Sequence, residues 1–343
     1  MLKKSLRWTW QHRKLTACVL LAAALILFNI VAYNHAYAMT HFRDGGTRTR
    51  DPETLSFLEK IQALVLGVNI PRPVNQRTPE NLGLPFKTEL FQGTDGKLEA
   101  WRIQHPRSKG VVLLVHGYAN CKASLLQEAK AFHELGYEAV LLDLRGSGGS
   151  DGSETTVGIR EADDVAAAAL ALQEASPHQS LIVYGQSMGS AAILRAIAES
   201  KIQPKAVIVE CPFDRLLSTV ESRFAAMGVP SFPSARLLVF WGGVQHDFNG
   251  FAHNPVEYAR SVRCPVLLMH GKHDPRVTQE QVQAIWEATE SLSQKQRTVF
   301  LLRFVEEMSM AEIAEAAGTT EGAVKVHLFR ALQTIRRRLR RSQ

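Results

Sequence analysis

The chain has 343 residues and 45% apolar side chains, enough for one large globular domain or two unequal ones with a sizeable core. Its formal charge of +7 is carried at the ends: the first 14 residues hold five Lys/Arg and no acid, and residues 293–343 hold ten Lys/Arg against five Asp/Glu. The slightly acidic middle requires no acidic partner, and Cys18, Cys121, Cys211 and Cys264 lack the CxxC or CxxH spacing of a zinc site.

Residues 15–33 form a 19-residue run without charge, preceded by Lys3, Lys4, Arg7, Arg13 and Lys14. At about 1.5 Å per residue the run just spans a hydrocarbon core of roughly 30 Å. The basic flank predicts a cytoplasmic N-terminus and an extracytoplasmic remainder, in a single-pass protein of the cell membrane. A cleaved signal peptide is the competing reading, because Ala36-Tyr37-Ala38 has the small-x-small pattern of a cleavage site. The run exceeds the usual apolar length of such peptides, which favours an anchor.

Residues 40–85 are turn-rich, with a helix expected over 52–66. Strands are expected at 86–91 and 98–105, joined through Gly93-Thr94-Asp95-Gly96. Apolar runs and helical patterns then alternate: strand 110–115, helix 124–135, strand 139–143, helix 160–175, strand 181–184, helix 187–200, and strands 206–210 and 266–270. This alternation predicts a mostly parallel sheet covered on both faces. Between 211 and 263 the pattern breaks and aromatics cluster, among them Phe213, Phe224, Phe232, Phe240 and Trp241. We expect a cap over the carboxyl ends of the strands, its aromatics lining a substrate pocket or forming a satellite core.

Gly185-Gln186-Ser187-Met188-Gly189 joins a strand to a helix. A serine on so tight a turn exposes its oxygen, and the flanking glycines leave room for the backbone. Ser187 is therefore the expected nucleophile. The backbone N–H groups of Tyr118 and Met188 are the expected oxyanion donors. His116 is read as structural. Asp274 follows the strand 266–270, where a carboxylate can orient a histidine.

These residues resemble the α/β-hydrolase superfamily over about residues 40–290, in particular membrane-anchored bacterial relatives of serine aminopeptidases and esterases. Leu114-Val115-His116-Gly117-Tyr118, Asp143-Leu144-Arg145-Gly146-Ser147-Gly148, Gly185 to Gly189, and Cys264 to Gly271 running on to Asp274 carry the resemblance. It implies serine acyl hydrolysis of a small acyl or peptide substrate, with no cofactor and no metal. Asp143 and Arg145 would organise loops. The resemblance also implies a histidine roughly thirty residues beyond the acid. Only His327 follows Asp274, in a different context. His273, His246 and His253 are the candidate replacement bases, and without one the activity is impaired.

From residue 292 the sequence reads as helices. Ser309 and Glu312 form a capping-box pattern, Gly318 breaks the chain, and Thr320 starts a basic helix reaching residue 339. The pattern is a helix-turn-helix. It resembles region 4 of bacterial sigma factors of the extracytoplasmic-function group, through Leu292 to Phe300, Ala311 to Ala314, and Thr320 to Arg330. That resemblance implies promoter DNA and RNA polymerase as partners, with Thr320, Glu321, Lys325, His327 and Arg330 facing DNA. Arginines at 336–341 would add a salt-sensitive term.

The two ends conflict, since the topology exports a segment whose partner is promoter DNA. We expect three regions: a basic segment and anchor over 1–38, a hydrolase domain over 39–290 lacking its last strand and catalytic histidine, and a helix-turn-helix over 291–343. The chain reads as a fusion of unrelated segments. Its function is that of a membrane-anchored serine hydrolase, with a DNA-binding regulator carrying an inert or sensory hydrolase fold as the alternative.

Overall fold

The computed structural model describes residues 2–50 and 54–270. They divide into two compact units, one formed by residues 2–50, 54–71 and 216–252, the other by residues 72–215 and 253–270.

Among the described residues the second unit is built on a seven-stranded sheet. Its strands are β1 (Lys87–Gln92), β2 (Lys97–Ile103), β3 (Val111–Val115), β4 (Glu138–Leu142), β5 (Leu181–Gln186), β6 (Ala206–Glu210) and β7 (Val266–Met269). Their order is β1-β2-β4-β3-β5-β6-β7. β1 and β2 are antiparallel, β2 meets β4 antiparallel, and all later pairs are parallel. Every residue of β3 is buried. Successive side chains of a strand point to opposite faces, so β3 feeds two cores. Val111, Leu113 and Val115 join a core with Ala162, Val165, Ala169 and Ile193. Val112 and Leu114 join another with Trp101, Leu126 and Ala129.

The helices of this unit cover both faces. A 3-10 turn at Lys122–Leu125 leads into α3 (Leu126–Glu134), so the helix expected over 124–135 starts as a tighter coil. The alanine-rich α4 is Glu161–Ala175, and α5 is Met188–Ala198. Small side chains let α4 pack closely on α5, with Ala162, Ala168 and Ala169 fully buried. A short helix at Pro255–Ala259 packs against α5.

The first unit holds a 39-residue helix, α1 (Leu2–Thr40). Within Arg13–Thr40 the mean hydropathy reaches 2.6, and the helix is long and apolar enough to cross a membrane. A signal sequence at this end of a chain has the same composition. Next comes α2 (Phe57–Leu66), which begins later than the expected 52–66 because Ser56 and Glu59 close a reciprocal capping box. The unit is completed by α6 (Leu216–Met227) and α7 (Ser234–His246).

The sequence reading sets a cap at 211–263 inside a domain that starts at residue 39. The packing draws other lines. α7 packs along α1, so the helices of the cap group with the N-terminal helix. Phe213 is instead part of the sheet unit's core at 2% exposure. His253 also belongs to the sheet unit, its ring 5.8 Å from that of Phe213. Phe224 is buried, whereas Phe232, Phe240 and Phe251 are exposed. Asp274, His273, the expected loss of the last strand and the expected helix-turn-helix all fall outside the described residues.

Candidate active site

Ser187 occupies the junction of β5 and α5. Its backbone has φ 50° and ψ −108°, a conformation that costs a non-glycine residue energy and persists only where its surroundings impose it. Two groups of contacts do so here. The Ser187 N–H donates to the carbonyl of Glu210 at the end of β6 (2.8 Å), and the Ser190 hydroxyl donates to the carbonyl of Gly185 (2.6 Å). The turn folds back tightly, so a Cβ on Gly185 would lie 2.6 Å from the carbonyl carbon of Gly189. Ser187 is half-buried, while Met188, Gly189 and Ser190 behind it are buried.

Glu210 serves the turn twice. Its carbonyl takes the Ser187 N–H, and its carboxylate accepts the Tyr184 hydroxyl. Burial, followed by the Glu210 charge, pushes the Tyr184 phenol well above its ordinary range. It stays protonated and remains a donor.

The segment His116-Gly117-Tyr118 follows β3 and lies against this turn. A Cβ on Gly117 would be 3.4 Å from the Gln186 carbonyl oxygen and 3.6 Å from the Ser187 Cβ. Tyr118 packs partly buried on the sheet core. Met188 is the first residue of α5, where backbone N–H groups lack intrahelical acceptors and the helix dipole favours negative charge.

His116 is wholly buried. Its Nε2 accepts the Leu144 N–H (3.1 Å), which puts the proton on Nδ1, the donor to the Gly117 carbonyl (2.8 Å). Burial holds its pKa below the usual histidine range. Both nitrogens are committed to the loops after β3 and β4, as a structural histidine requires.

The replacement bases fare differently. His253 Nε2–H donates to the Val157 carbonyl (3.1 Å), and Nδ1 then accepts the Tyr258 hydroxyl (3.3 Å). Burial, with the Arg195 charge adding to it, pushes its pKa down to about 4. With both nitrogens occupied it offers no lone pair to Ser187, which argues against it as the base. His246 belongs to the other unit, where its ring stacks on His41 (4.9 Å). His273 and Asp274 lie outside the described residues. β7, which precedes them, runs parallel to β5 and β6, so its carboxyl end lies at the sheet edge that carries Ser187. Thr320, Glu321, Lys325, His327 and Arg330, expected to face DNA, also lie outside the described residues.

The loop-organising roles of Asp143 and Arg145 have clear geometry. The buried Asp143 carboxylate accepts the N–H groups of Lys122 (2.7 Å) and Gly149 (2.8 Å) and the Asn75 amide (2.7 Å). Arg145 pairs with Asp164 (2.6 Å).

Sequence reasoning missed two residues of this scaffold. Lys122 is fully buried, ion-paired with Asp143 and with Glu99 (2.6 Å), and lies 4.4 Å over the Trp101 ring. A lysine in the first turn of a helix is unfavourable, and that was the only hint of a buried acid partner. Glu161 is the other. Burial raises its pKa, but hydrogen bonds from the Thr155 and Thr156 hydroxyls and the Thr156 N–H outweigh burial and hold the carboxyl below its ordinary range. Thr155 in turn touches the Met188 sulfur (3.5 Å), so this hub buttresses the start of α5.

Residues 106–255 match the serine aminopeptidase S33 family of hydrolases, and residues 282–335 match region 4 of sigma-70 factors. Asp274 falls in neither stretch, and the sigma match opens ten residues before Leu292. The Bacillus subtilis protein YqkD is 24% identical over 193 residues, 55% of this chain and 63% of its own. The zebrafish (Danio rerio) lysophosphatidylserine lipase ABHD12 is 26% identical over 181 residues, 51% of this chain and 45% of its own. The chain thus spans less than two thirds of these relatives. Among solved structures, an esterase of Pyrococcus furiosus superposes with a TM-score of 0.58 at 24% identity, covering 76% of this chain and 97% of the esterase. An α/β-hydrolase from Penicillium, GrgF, gives a TM-score of 0.51 at 16% identity over 74% and 99% of the two chains.

Proposed function

From a chain that carries an α/β-hydrolase fold and, at its C-terminal end, a sigma-70 region 4 segment, we propose a membrane-anchored serine acyl hydrolase with Ser187 as nucleophile. The observation that carries this reading is the constrained, half-exposed Ser187 turn, held by Glu210 and lying against Gly117. In this mechanism the Ser187 Oγ attacks the acyl carbonyl, and its proton passes to a base. The N–H groups of Tyr118 and Met188 receive the developing oxyanion, a term worth about 3–4 kcal/mol per donor in comparable enzymes. Asp274 orients the base. His273 remains the candidate for that base. Absence of an effective one costs several orders of magnitude in rate, leaving the residual catalysis of binding and the oxyanion donors. The lipase name of one relative makes a lysophospholipid-type ester the first substrate class to assay.

The test is a serine-reactive fluorophosphonate probe on the full chain in detergent, with Ser187→Ala as control. Labelling that Ser187→Ala abolishes means an activated nucleophile. Absence of labelling in folded protein sinks the hydrolase reading.

A second reading rests on the sigma-70 match at 282–335. In it the C-terminal segment binds promoter DNA and RNA polymerase, and the hydrolase fold is sensory or inert. The basic N-terminal flank favours export of everything after α1, which is incompatible with that role. A topology reporter fused at Gln343 decides: an extracytoplasmic signal ends the DNA-binding reading.

A further inference from the structure

The carboxyl ends of α1 and α7 bring two histidines together. α7 packs along α1. Trp241 donates its indole N–H to the Asn29 amide oxygen (3.3 Å), and Gln245, one turn on, donates to the Tyr33 carbonyl (2.9 Å), so the two helices run in the same direction. His246 is the last residue of α7, and His41 directly follows α1. Their ring centroids are 4.9 Å apart, and a ring nitrogen of each lies within 4.8 Å of the other. Both residues belong to the first unit. His246 is buried and His41 half-buried.

Three features suit this pair to a metal ion. The first is spacing. Two imidazoles bound to one tetrahedral ion through bonds of about 2.0–2.1 Å place their ring centroids about 5 Å apart. The second is the proton on His41. Its Nδ1 lies 3.1 Å from the Tyr37 carbonyl, which can only accept, so Nδ1 carries the proton and Nε2 the lone pair. The Thr40 hydroxyl donates to the Ala36 carbonyl (2.9 Å) and lies 3.1 Å from the same Nδ1. Tyr37 also stacks on the His41 ring at 3.7 Å. A backbone carbonyl on the second nitrogen is the arrangement that orients a metal-binding histidine and raises its basicity. The third is the field. Both histidines stand at helix carboxyl ends, where the aligned backbone dipoles favour a cation.

We propose that His41 and His246 bind a divalent transition-metal ion of the kind imidazole suits, zinc, nickel or copper, with water completing its coordination. The ion ties the end of α1 to the end of α7. Calcium and magnesium take oxygen ligands and do not fit the pair. The site is independent of the Ser187 chemistry, for which the hydrolase resemblance implies no metal. No spacing motif announces it, because its two ligands stand on helices far apart in the chain.

The experiment adds one equivalent of Cu2+, a paramagnetic reporter, to the full chain in detergent and counts the coordinated imidazoles by pulsed electron paramagnetic resonance. The expected result is two coupled imidazoles in the wild type and one or none in His41→Gln and His246→Gln. His105→Gln, in the sheet unit, should keep two. Melting midpoints without metal show which variants are folded. His41→Phe keeps a ring on Tyr37 and offers no nitrogen, so it carries the test if the buried His246 cannot be changed without unfolding. Two coupled imidazoles in folded His41→Phe overturn the proposal, because the ion is then bound elsewhere. So does a wild type with fewer than two, which leaves the histidines as a packing contact only.

Discussion

Gly189 passes beneath the end of β3 so closely that a Cβ on it would lie 2.3 Å from the Val115 carbonyl oxygen and 2.8 Å from that of His116. The Ser187 turn is thus wedged against the strand that leads to Tyr118. Both neighbours are backbone atoms of a fully buried strand end and cannot step aside. Gly189→Ala should destabilise the sheet unit by more than about 3 kcal/mol, the upper range for overpacking. Gly242 in α7 has no such neighbour within 4 Å. Gly242→Ala should be neutral or stabilising by up to about 1 kcal/mol through helix propensity. Thermal melts of the two variants in detergent compare them, and equal midpoints would refute the wedge.

Lys122 neutralises Asp143 where neither has access to water. Lys122→Met removes the cation and leaves a buried carboxylate, a change that typically costs about 3–5 kcal/mol. Lys122→Met combined with Asp143→Asn should recover part of that stability, because the charge that remains without its partner, Glu99, is partly exposed, not fully buried. Urea unfolding of both variants checks this, and an unchanged midpoint for Lys122→Met would refute it.

His253 gives the sheet unit a pH dependence. Its pKa is about 4 in the fold, against about 6.5 when unfolded, so between these values the unfolded chain binds more protons. Stability therefore falls as pH drops from about 6.5 to 4 and changes no further through this group below that. The contribution is on the order of 3 kcal/mol. Stability measured across this window should show a smaller decline in acid for His253→Gln than for the wild type. Parallel profiles would show that the buried imidazole is not the titrating group.

If the C-terminal segment binds DNA, Lys325→Ala with Arg330→Ala should weaken binding by the full chain and reduce the salt slope by about 0.9 for each phosphate no longer neutralised. Anisotropy titrations on duplex DNA at several salt concentrations measure both quantities. Unchanged affinity and slope would remove these residues from any DNA interface.

The sequence by itself determined the sheet and the tight turn that carries Ser187. Strands 110–115 and 181–184 were legible because parallel strands buried on both faces are short, continuous apolar runs. Ser187 was legible because only a glycine-flanked residue fits that turn. Asp143 and Arg145 were legible as loop organisers through the resemblance. Tertiary structure alone decided the partners. Nothing local in the sequence indicated that Lys122 would find Asp143 and Glu99, or that Thr155 and Thr156 would gather on Glu161, since these pairings join segments separated by turns whose course is set by packing. The grouping of α7 with α1 was equally hidden. Asn29 and Trp241 are 212 residues apart, and an aromatic-rich cap has the same composition whether its rings face a substrate, a core or a membrane. His253 is the sharpest case. A lone histidine in a sequence looks available as a base, and only the fold, by placing Val157 and Tyr258 on its two nitrogens, commits it to structure.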